Sequence, residues 1–249
     1  MYKMYKKDKY GSDKKMKDRL NDEKLQNSKE IRNLLMKIYH LLYEHAGHQH
    51  WWPACSPFEV VIGAILAQFV SWKNVTIAIE NLKKYGLLSV EGICSTDIDK
   101  LGELIKSTRF YRQKARMLKD FCNYLDRNYN GSLDRLFDKD INDLRKELLA
   151  LYGIGEETAD SIILYAANKP VFVVDAYTKR IFTRLGLLNG NMKYKEVQRF
   201  FMNNLEHDVE LFNDYHAQIV KLGNSYCFNK NPKCNDCPLC NSQICKFNK

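Results

Sequence analysis

The sequence predicts an all-α protein, and the spacing of its apolar residues is the first reason. From Glu30 onward, one segment after another places apolar side chains on a single helical face, and glycine or polar turns separate these segments. Strand signals are sparse, since the run VFVV at 171–174 is too short to anchor a sheet. No repeat of the kind that builds solenoids is visible. Together these observations favour a helical fold.

Taken in chain order, the predicted elements begin with a basic arm. Residues 1–27 are rich in Lys and Asp and poor in aliphatic side chains, so we expect them to be disordered. A helix with its buried face at 31–42 follows, and then a polar, aromatic loop. The helix at 58–68 is apolar nearly all round, as expected of a central buried helix. Further helices are predicted at 74–85, 98–105, 112–128, 141–150, 156–167, 176–185, 194–204 and 210–223.

Net charge and composition indicate which kind of partner and which cellular location to expect. The net charge is +9 and the isoelectric point is near 9.0. Such a charge favours a polyanionic partner, because neutralised phosphates release counterions, but a generally Lys-rich composition explains it equally well. The chain has no run of about eighteen apolar residues and no apolar core of a secretory signal near its start. We therefore expect an intracellular protein that does not enter a membrane.

A glycine turn between two helices is the most informative internal segment. In LLALYGIGEETADSIILYA at 148–166, Gly153, Ile154 and Gly155 form a tight turn. We expect Ile154 to plug the core while both glycines leave the backbone exposed. Free amides at this turn and at the following helix N-terminus can bind a phosphate. A plain αα-hairpin with a glycine loop is the alternative.

This hairpin belongs to a longer pattern. GIGEETADSI, followed by VVDAYTKRIFTRLG from residue 173, resembles the signature of the endonuclease III superfamily of helix-hairpin-helix DNA glycosylases. PFEVVIGAILAQ resembles that family's buried helix, and the likeness extends over about residues 30–249. It implies a two-lobed HhH-GPD fold. The implied parts are a domain at 57–166 with the hairpin at 148–166, a second lobe from 28–56 and 167–225, and an iron–sulfur loop at 226–249.

The resemblance places the catalytic aspartate on Asp175, at the start of a predicted helix whose dipole favours the ionised form. Breaking an N-glycosidic bond gives the sugar oxocarbenium character, which a fixed carboxylate stabilises while it orients water. The alternative is that Asp175 only caps the helix. The resemblance also makes Gln68 the residue that fills the gap left by a flipped nucleotide, although a solvated amide is equally plausible. It places Gly153, Ile154, Gly155 and Thr158 at the DNA backbone.

One departure from the family pattern bears on the mechanism. Bifunctional members have a Lys directly before the hairpin Thr, where this chain has Glu157. A carboxylate cannot form a Schiff base, so we predict a monofunctional enzyme that uses water as the nucleophile. Lys169 and Lys179 lie nearby in sequence and are the alternative amines. Tyr152 replaces the family's usual Pro, with no reason visible in the sequence.

The tryptophans suggest a base pocket. Trp51, Trp52 and Trp72 bracket the helix that ends at Gln68, and filling the core is their alternative role. A flipped base is held by aromatic stacking, and an indole also attracts a cationic ring. WWP, the spacing AQ-x₃-W and GIGxE[TS]AD…VVDxY most resemble the 3-methyladenine DNA glycosylase III branch. Alkylated purines of that kind are cationic and already activated as leaving groups.

Cysteines crowd the end of the chain, with five of the eight in the last 23 residues. In a reducing compartment this clustering favours metal over disulfides. The resemblance implies a [4Fe–4S] cluster on Cys227, Cys234 and Cys237, with zinc as the alternative. Gln243 stands where the family's fourth cysteine would be. Cys245 is the preferred fourth ligand, and Cys240 competes with it.

Together these features predict a monofunctional base-excision repair glycosylase. It would hydrolyse the N-glycosidic bond of a damaged base, an alkylated purine, in double-stranded DNA. We expect a monomer located in the cytoplasm with the nucleoid of a prokaryote. Two other hypotheses stay open: a bifunctional endonuclease III-type glycosylase and abasic lyase, and a non-catalytic iron–sulfur DNA-binding module.

Overall fold

The computed structural model describes the backbone of residues 7–245 and 247, and the side chains of residues 26, 28–245 and 247. Within these ranges the chain is helical and has no β-strand, as predicted. No helix in the described part is long and apolar enough to cross a membrane. The helices are α1 (Lys7–Ala46), α2 (Pro57–Leu66), α3 (Trp72–Lys84), α4 (Val90–Ser95), α5 (Ile98–Leu104), α6 (Tyr111–Tyr129), α7 (Leu133–Phe137), α8 (Ile141–Ala150), α9 (Glu156–Ser161), α10 (Ala176–Arg184), α11 (Tyr194–Asn204), α12 (Val209–Ser225) and α13 (Pro238–Asn241).

Helix α1 differs from the prediction of a disordered arm at 1–27. The helix already begins at Lys7, while residues 1–6 lie outside the described residues. The segment contains no Pro and is rich in Lys, which favours helix when a docked helix follows directly. The docked part uses the predicted apolar face, where Leu35 and Ile38 are fully buried.

Helices α4 and α7 were not predicted from the sequence. They have six and five residues, too few for a periodic apolar pattern to show. Local capping explains why they form, because the hydroxyls of Ser89 and Ser132 accept hydrogen bonds from the amides of Gly92 and Arg135.

Helix α2 lies at the centre of one group of helices, as its continuous apolar sequence predicts. Val61, Ile62, Ile65 and Leu66 are all fully buried. The helix packs against α3, α6 and the π-helical turn Ile162–Ala166 that extends α9. A turn follows α2, so Gln68 lies beyond the last helical residue. Its side chain contacts Thr158.

A second group of helices surrounds α12, which packs on both α1 and α10. Its core is aromatic, and the rings of Phe172 and Phe201 stack with centroids 4.0 Å apart. Gly223 lets α12 approach α10 closely, because a Cβ atom there would lie 2.2 Å from the ring of Tyr177. The buried segment 171–174 leads into α10 without forming a strand. Helix α12 therefore holds the start of α10, where Asp175 lies.

Candidate active site

The glycine turn has the geometry that the sequence predicts. Ile154 is buried, with 6% of its surface exposed, whereas Gly153 and Gly155 are exposed. Gly153 has φ +76°, and a Cβ atom there would also lie 2.7 Å from the side chain of Met117. Glycine is thus required for both conformation and space. No side chain caps α9, so its first amides remain available to an external acceptor.

Gln68 lies against this turn, although it is 85 residues earlier in the chain. Its Nε2 atom donates to the carbonyl of Gly153 at 3.2 Å and to Oγ1 of Thr158 at 3.1 Å. The structure therefore brings together the residues predicted to contact DNA. Their common position is the junction between the end of α2 and the start of α9.

Lys114, which was not predicted from the sequence as a site residue, fixes this junction. Its side chain is only 2% exposed, and Nζ donates to the carbonyls of Leu66 and Gln68, both at 2.8 Å. The Leu66 carbonyl is the last of α2 and the Gln68 carbonyl lies just beyond it, and a cation is favourable at this C-terminal end of the helix. The sequence does contain one indication of this role, because Lys114 lies on the same face of α6 as the buried Leu118 and Phe121.

Burial lowers the pKa of Lys114 to about 8. The unfolded chain keeps a lysine pKa near its ordinary value, so between pH 8 and about 10 the folded protein releases this proton first and gains stability. We expect the unfolding free energy of wild type to rise relative to that of Lys114→Met by about 1–3 kcal/mol over this interval. Urea denaturation of both proteins at pH 7 and pH 10 measures the difference. A difference independent of pH would contradict the prediction.

Asp175 is the N-cap of α10, which confirms that it caps a helix, the alternative role considered above. Its Oδ1 accepts from the amide of Thr178 at 2.7 Å and from Oγ1 of Thr178 at 2.8 Å. The side chain is 9% exposed, and Oδ2 takes no part in the cap. Capping fixes the orientation of the carboxylate and leaves one oxygen for other work. The catalytic role of Asp175 stays a prediction.

Glu157 lies on the first turn of α9, close enough to Asp175 for that charge to affect the pKa of Glu157. The surrounding protein and the negative charge of Asp175 raise the pKa of Glu157 to about 7, and Lys179 opposes this rise, although part of the Glu157 side chain is exposed. Lys179 donates to the carbonyl of Met192 at 3.3 Å. Lys169, the other amine considered as a nucleophile, lies near Asp140 instead.

The three tryptophans form one cluster. The ring centroids of Trp51 and Trp72 are 4.6 Å apart, and those of Trp52 and Trp72 are 5.0 Å apart. All three side chains are half-buried, and Gly63 of α2 makes room for Trp52, whose ring lies 3.2 Å from where a Cβ atom would be. Tyr165, which the sequence analysis missed, lies 5.2 Å from Trp52.

His216, also missed, connects this aromatic cluster to Asp175. Its Nδ1 lies 2.6 Å from the hydroxyl of Tyr165, and its Nε2 lies 3.7 Å from Oδ2 of Asp175. The imidazole is buried, with 7% of its surface exposed. The sequence places His216 on the buried side of α12, but this position does not reveal which residues the imidazole contacts.

The surface next to Gln68 is aromatic and basic. Phe69 is 80% exposed and Phe110 is 51% exposed, and both line an open depression of about 560 Å³ together with Lys106 and Arg109. Directly before the glycine turn, Tyr152 has the guanidinium of Arg116 over its ring, 4.3 Å from the ring centroid. This cation–π contact gives a reason for Tyr at the position where the family has Pro.

The cysteine loop is fixed to α10 by two arginines. Arg184 Nη1 donates to Sγ of Cys227 at 3.1 Å, and Arg180 Nε donates to the Cys227 carbonyl at 2.8 Å. Cys237 and Cys245 are buried, and burial raises the pKa of the Cys237 thiol while amides of Leu239 and Cys240 lower it. Among the described residues, no three His, Cys, Asp or Glu side chains form a ready-made metal site. The donor chemistry, thiols that receive N–H bonds, fits an iron–sulfur cluster.

Comparison with known proteins identifies the family. Residues 62–207 match the family model for HhH-GPD superfamily base excision DNA repair proteins. The chain belongs to this superfamily. It is 47% identical over 207 residues to a candidate DNA repair glycosylase of Methanocaldococcus jannaschii, covering 83% of this chain and 94% of that one. It is 28% identical to endonuclease III of Sulfolobus acidocaldarius, covering 76% of this chain and 82% of that one.

Two solved structures show the same fold. One is a trapped endonuclease III–DNA covalent intermediate with an estranged adenine, which has a TM-score of 0.74 and 25% identity and covers 88% of this chain and 96% of that one. The other is Helicobacter pylori 3-methyladenine DNA glycosylase bound to 1,N6-ethenoadenine, with a TM-score of 0.64, 28% identity and coverage of 78% and 96%. These findings confirm the all-α helix-hairpin-helix fold and the enzyme class, a DNA N-glycosylase. The lobe boundaries and the roles of individual residues stay predictions.

Proposed function

We propose that this HhH-GPD protein is a monofunctional DNA glycosylase that hydrolyses the N-glycosidic bond of an alkylated purine in double-stranded DNA. The main support is Glu157, which occupies the position where the resemblance expects the amine of bifunctional members. Its side chain ends in a carboxyl group, so this position offers no amine to the sugar, and it is near enough to Asp175 for that charge to contribute to its raised pKa. Water remains as the nucleophile.

The proposed reaction uses Asp175 as the catalytic carboxylate. The bond between C1′ and the base nitrogen breaks, and its electron pair leaves with the base. A cationic alkylpurine thereby departs as a neutral base and needs no proton from the enzyme. The carboxylate stabilises the oxocarbenium character at C1′, and a water oxygen then bonds to C1′ while its proton passes to the carboxylate and on to solvent.

The aromatic cluster supports a cationic substrate. Trp51, Trp52 and Trp72 lie within about one ring width of each other and offer electron-rich faces, with Tyr165 behind Trp52. A cationic ring on an indole gains up to about 2 kcal/mol when it is desolvated. The H. pylori neighbour is described with a bound purine derivative, ethenoadenine, which agrees with a purine pocket in this fold.

DNA binding is assigned to the surface around Gln68. The exposed turn of Gly153 and Gly155 would hold a phosphate, and Gln68 would occupy the gap left by the extruded nucleotide. Phe69 and Phe110 offer stacking surfaces beside Lys106 and Arg109, in the depression described above. The same surface therefore combines stacking side chains with positive charge, as DNA that contains an extruded base requires.

A panel of duplexes tests the substrate class. Each duplex carries one lesion, either a methylated purine, ethenoadenine, uracil, an oxidised pyrimidine or 8-oxoguanine, and the released base is measured by chromatography. We expect release to be fastest from the methylated purine. Faster release of a neutral pyrimidine would overturn the alkylpurine assignment while leaving the glycosylase class intact.

Lys179 supports a second candidate, a bifunctional glycosylase and abasic lyase. Its ammonium group is close enough to influence the charge of Glu157, which itself lies beside Asp175. The endonuclease III neighbour is described as a trapped covalent DNA intermediate. This candidate requires an amine to attack C1′, so reductive trapping on abasic-site DNA separates the two.

We also propose that the terminal loop holds a [4Fe–4S] cluster. Cys227, Cys234 and Cys237 would supply three thiolates, and Cys245 or Cys240 the fourth. When bound, the cluster would supply cross-links that order this loop. The hydrogen bonds from Arg180 and Arg184 to Cys227 attach the loop to α10, so an ordered loop would also hold the helix that begins at Asp175.

The fourth ligand can be identified by substitution. We expect Cys245→Ser to lose most of the cluster's visible absorbance and bound iron, because Cys245 is buried and its amide bonds back to Leu239 at 2.9 Å. Cys240→Ser should retain both. Iron analysis and visible spectra of anaerobically purified protein give the result, with Cys122→Ser as a control outside the loop. The reverse pattern would assign the ligand to Cys240.

A further inference from the structure

His216 is a buried histidine whose second nitrogen has no hydrogen-bond partner among the described residues. Its Nδ1 is 2.6 Å from the Tyr165 hydroxyl, but Nε2 is buried and unpaired. A buried polar atom destabilises the fold if it stays unpaired, so a partner for Nε2 is expected. The charged group facing Nε2 is the carboxylate of Asp175, whose Oδ2 lies 3.7 Å away.

Chemistry around the ring determines where its proton lies. Burial raises the pKa of Tyr165 well above its ordinary value, so the hydroxyl keeps its proton and donates it. Burial also lowers the pKa of His216, against the opposing effect of Asp175, so the imidazole is neutral at neutral pH. Nδ1 then accepts from Tyr165, and the single ring proton lies on Nε2, facing Asp175.

We propose that His216 is a positioning residue for Asp175, holding the carboxylate through Nε2–H while Tyr165 fixes the tautomer. The inference rests on the proposed function of Asp175. A separation of 3.7 Å is longer than a hydrogen bond, and catalytic hydrogen bonds in free enzymes are often long and shorten when substrate binds. Oδ1 is already fixed by Thr178, so a donor at Oδ2 would determine the remaining rotation of the carboxylate.

The arrangement also joins the base pocket to the catalytic carboxylate. Tyr165 contacts Trp52 on one side and His216 on the other. Two residues before His216 on α12, Asp214 accepts from the amide of Gln49 at 2.8 Å and thereby fixes the loop that leads to the tryptophans. Helix α12 thus holds both the stacking side chains and the group that orients Asp175.

Substitutions at position 216 test the proposal on methylated duplex DNA under single-turnover conditions. His216→Leu should slow base release by about 10- to 100-fold, because a misplaced catalytic group loses that order of rate. His216→Gln places an amide N–H near the position of Nε2 and should recover most of the rate, whereas His216→Asn should not. Binding to a duplex with a tetrahydrofuran abasic analogue should change less than about twofold in all three. Equal losses in all three variants, or no loss in His216→Leu, would overturn the proposal.

A second measurement does not depend on activity. Nitrogen-15 spectra of the histidine side chains, assigned by comparison with His216→Gln, should show a neutral Nε2-protonated ring for His216 from about pH 7 to 8. Tyr165→Phe should shift its Nδ1 signal. An Nδ1-protonated ring, or a ring that becomes charged within this interval, would overturn the proposal even if the wild type released no base from methylated DNA. A wild type that releases no base but shows the expected tautomer would refute the proposed function alone.

Discussion

Replacing Asp175 with Asn is expected to abolish base release and to leave DNA binding unchanged. The amide has no negative charge with which to stabilise the sugar cation, so the single-turnover rate should fall by about 10³-fold or more. The fold should survive, because Asn caps helices about as well as Asp and can still accept from the amide of Thr178. Base release from methylated duplex DNA and binding to an abasic-analogue duplex are the two measurements.

Asp140→Asn provides the matched control. Asp140 likewise caps a helix, because its Oδ1 accepts from the amides of Asn142 and Asp143 at 2.9 and 3.2 Å at the start of α8. This substitution should leave the rate of base release unchanged. If Asp175→Asn released base at the wild-type rate, the catalytic assignment of this carboxylate would be wrong. If it lost DNA binding and thermal stability together with activity, Asp175 would be only a structural cap.

Glu157→Lys is expected to create a covalent intermediate that the wild type lacks. A lysine at this position would place an amine near Asp175, whose charge contributes to the raised pKa of Glu157. Attack of that amine on C1′ of an abasic site gives a Schiff base, which borohydride reduces to a stable adduct. We expect no adduct with wild type and a clear shifted band with Glu157→Lys on denaturing gels.

Glu156→Lys controls for the added positive charge. Glu156 precedes Glu157 on the same turn of α9, but its carboxylate lies 3.6 Å from Arg145 instead of facing Asp175. An equal adduct from both variants would mean that trapping does not depend on position. An adduct from the wild type would support the bifunctional candidate, and its loss in Lys179→Ala would identify the amine.

Much of the hairpin region could be predicted from sequence because its determinants are local. Gly153 must be a glycine because its φ is +76°, and Ile154, the apolar residue next to it, is buried in the core. The start of α10 at Asp175 follows from the capping chemistry of Asp. The apolar run of α2 likewise determines its own burial. Each of these features depends on neighbours within a few residues.

The support of the site could not be predicted, because its contacts join distant segments. Tyr165 and His216 are 51 residues apart, and Lys114 reaches a carbonyl 48 residues earlier. A polar residue on an apolar helix face shows only that some partner must exist, not which one. The proposed base pocket has the same property, because Trp52 in the loop between α1 and α2 contacts Tyr165 in the distant π-helical turn.

The proposed function depends most on one claim, that water and not an enzyme amine replaces the base. Wild-type protein acting on methylated duplex DNA under single-turnover conditions tests it, with released purine and strand breaks counted in the same samples before and after alkali. We expect purine release without breaks, followed by one alkali-dependent break for each purine released. Breaks that match purine release before alkali is added, or no purine release at all, would contradict the account.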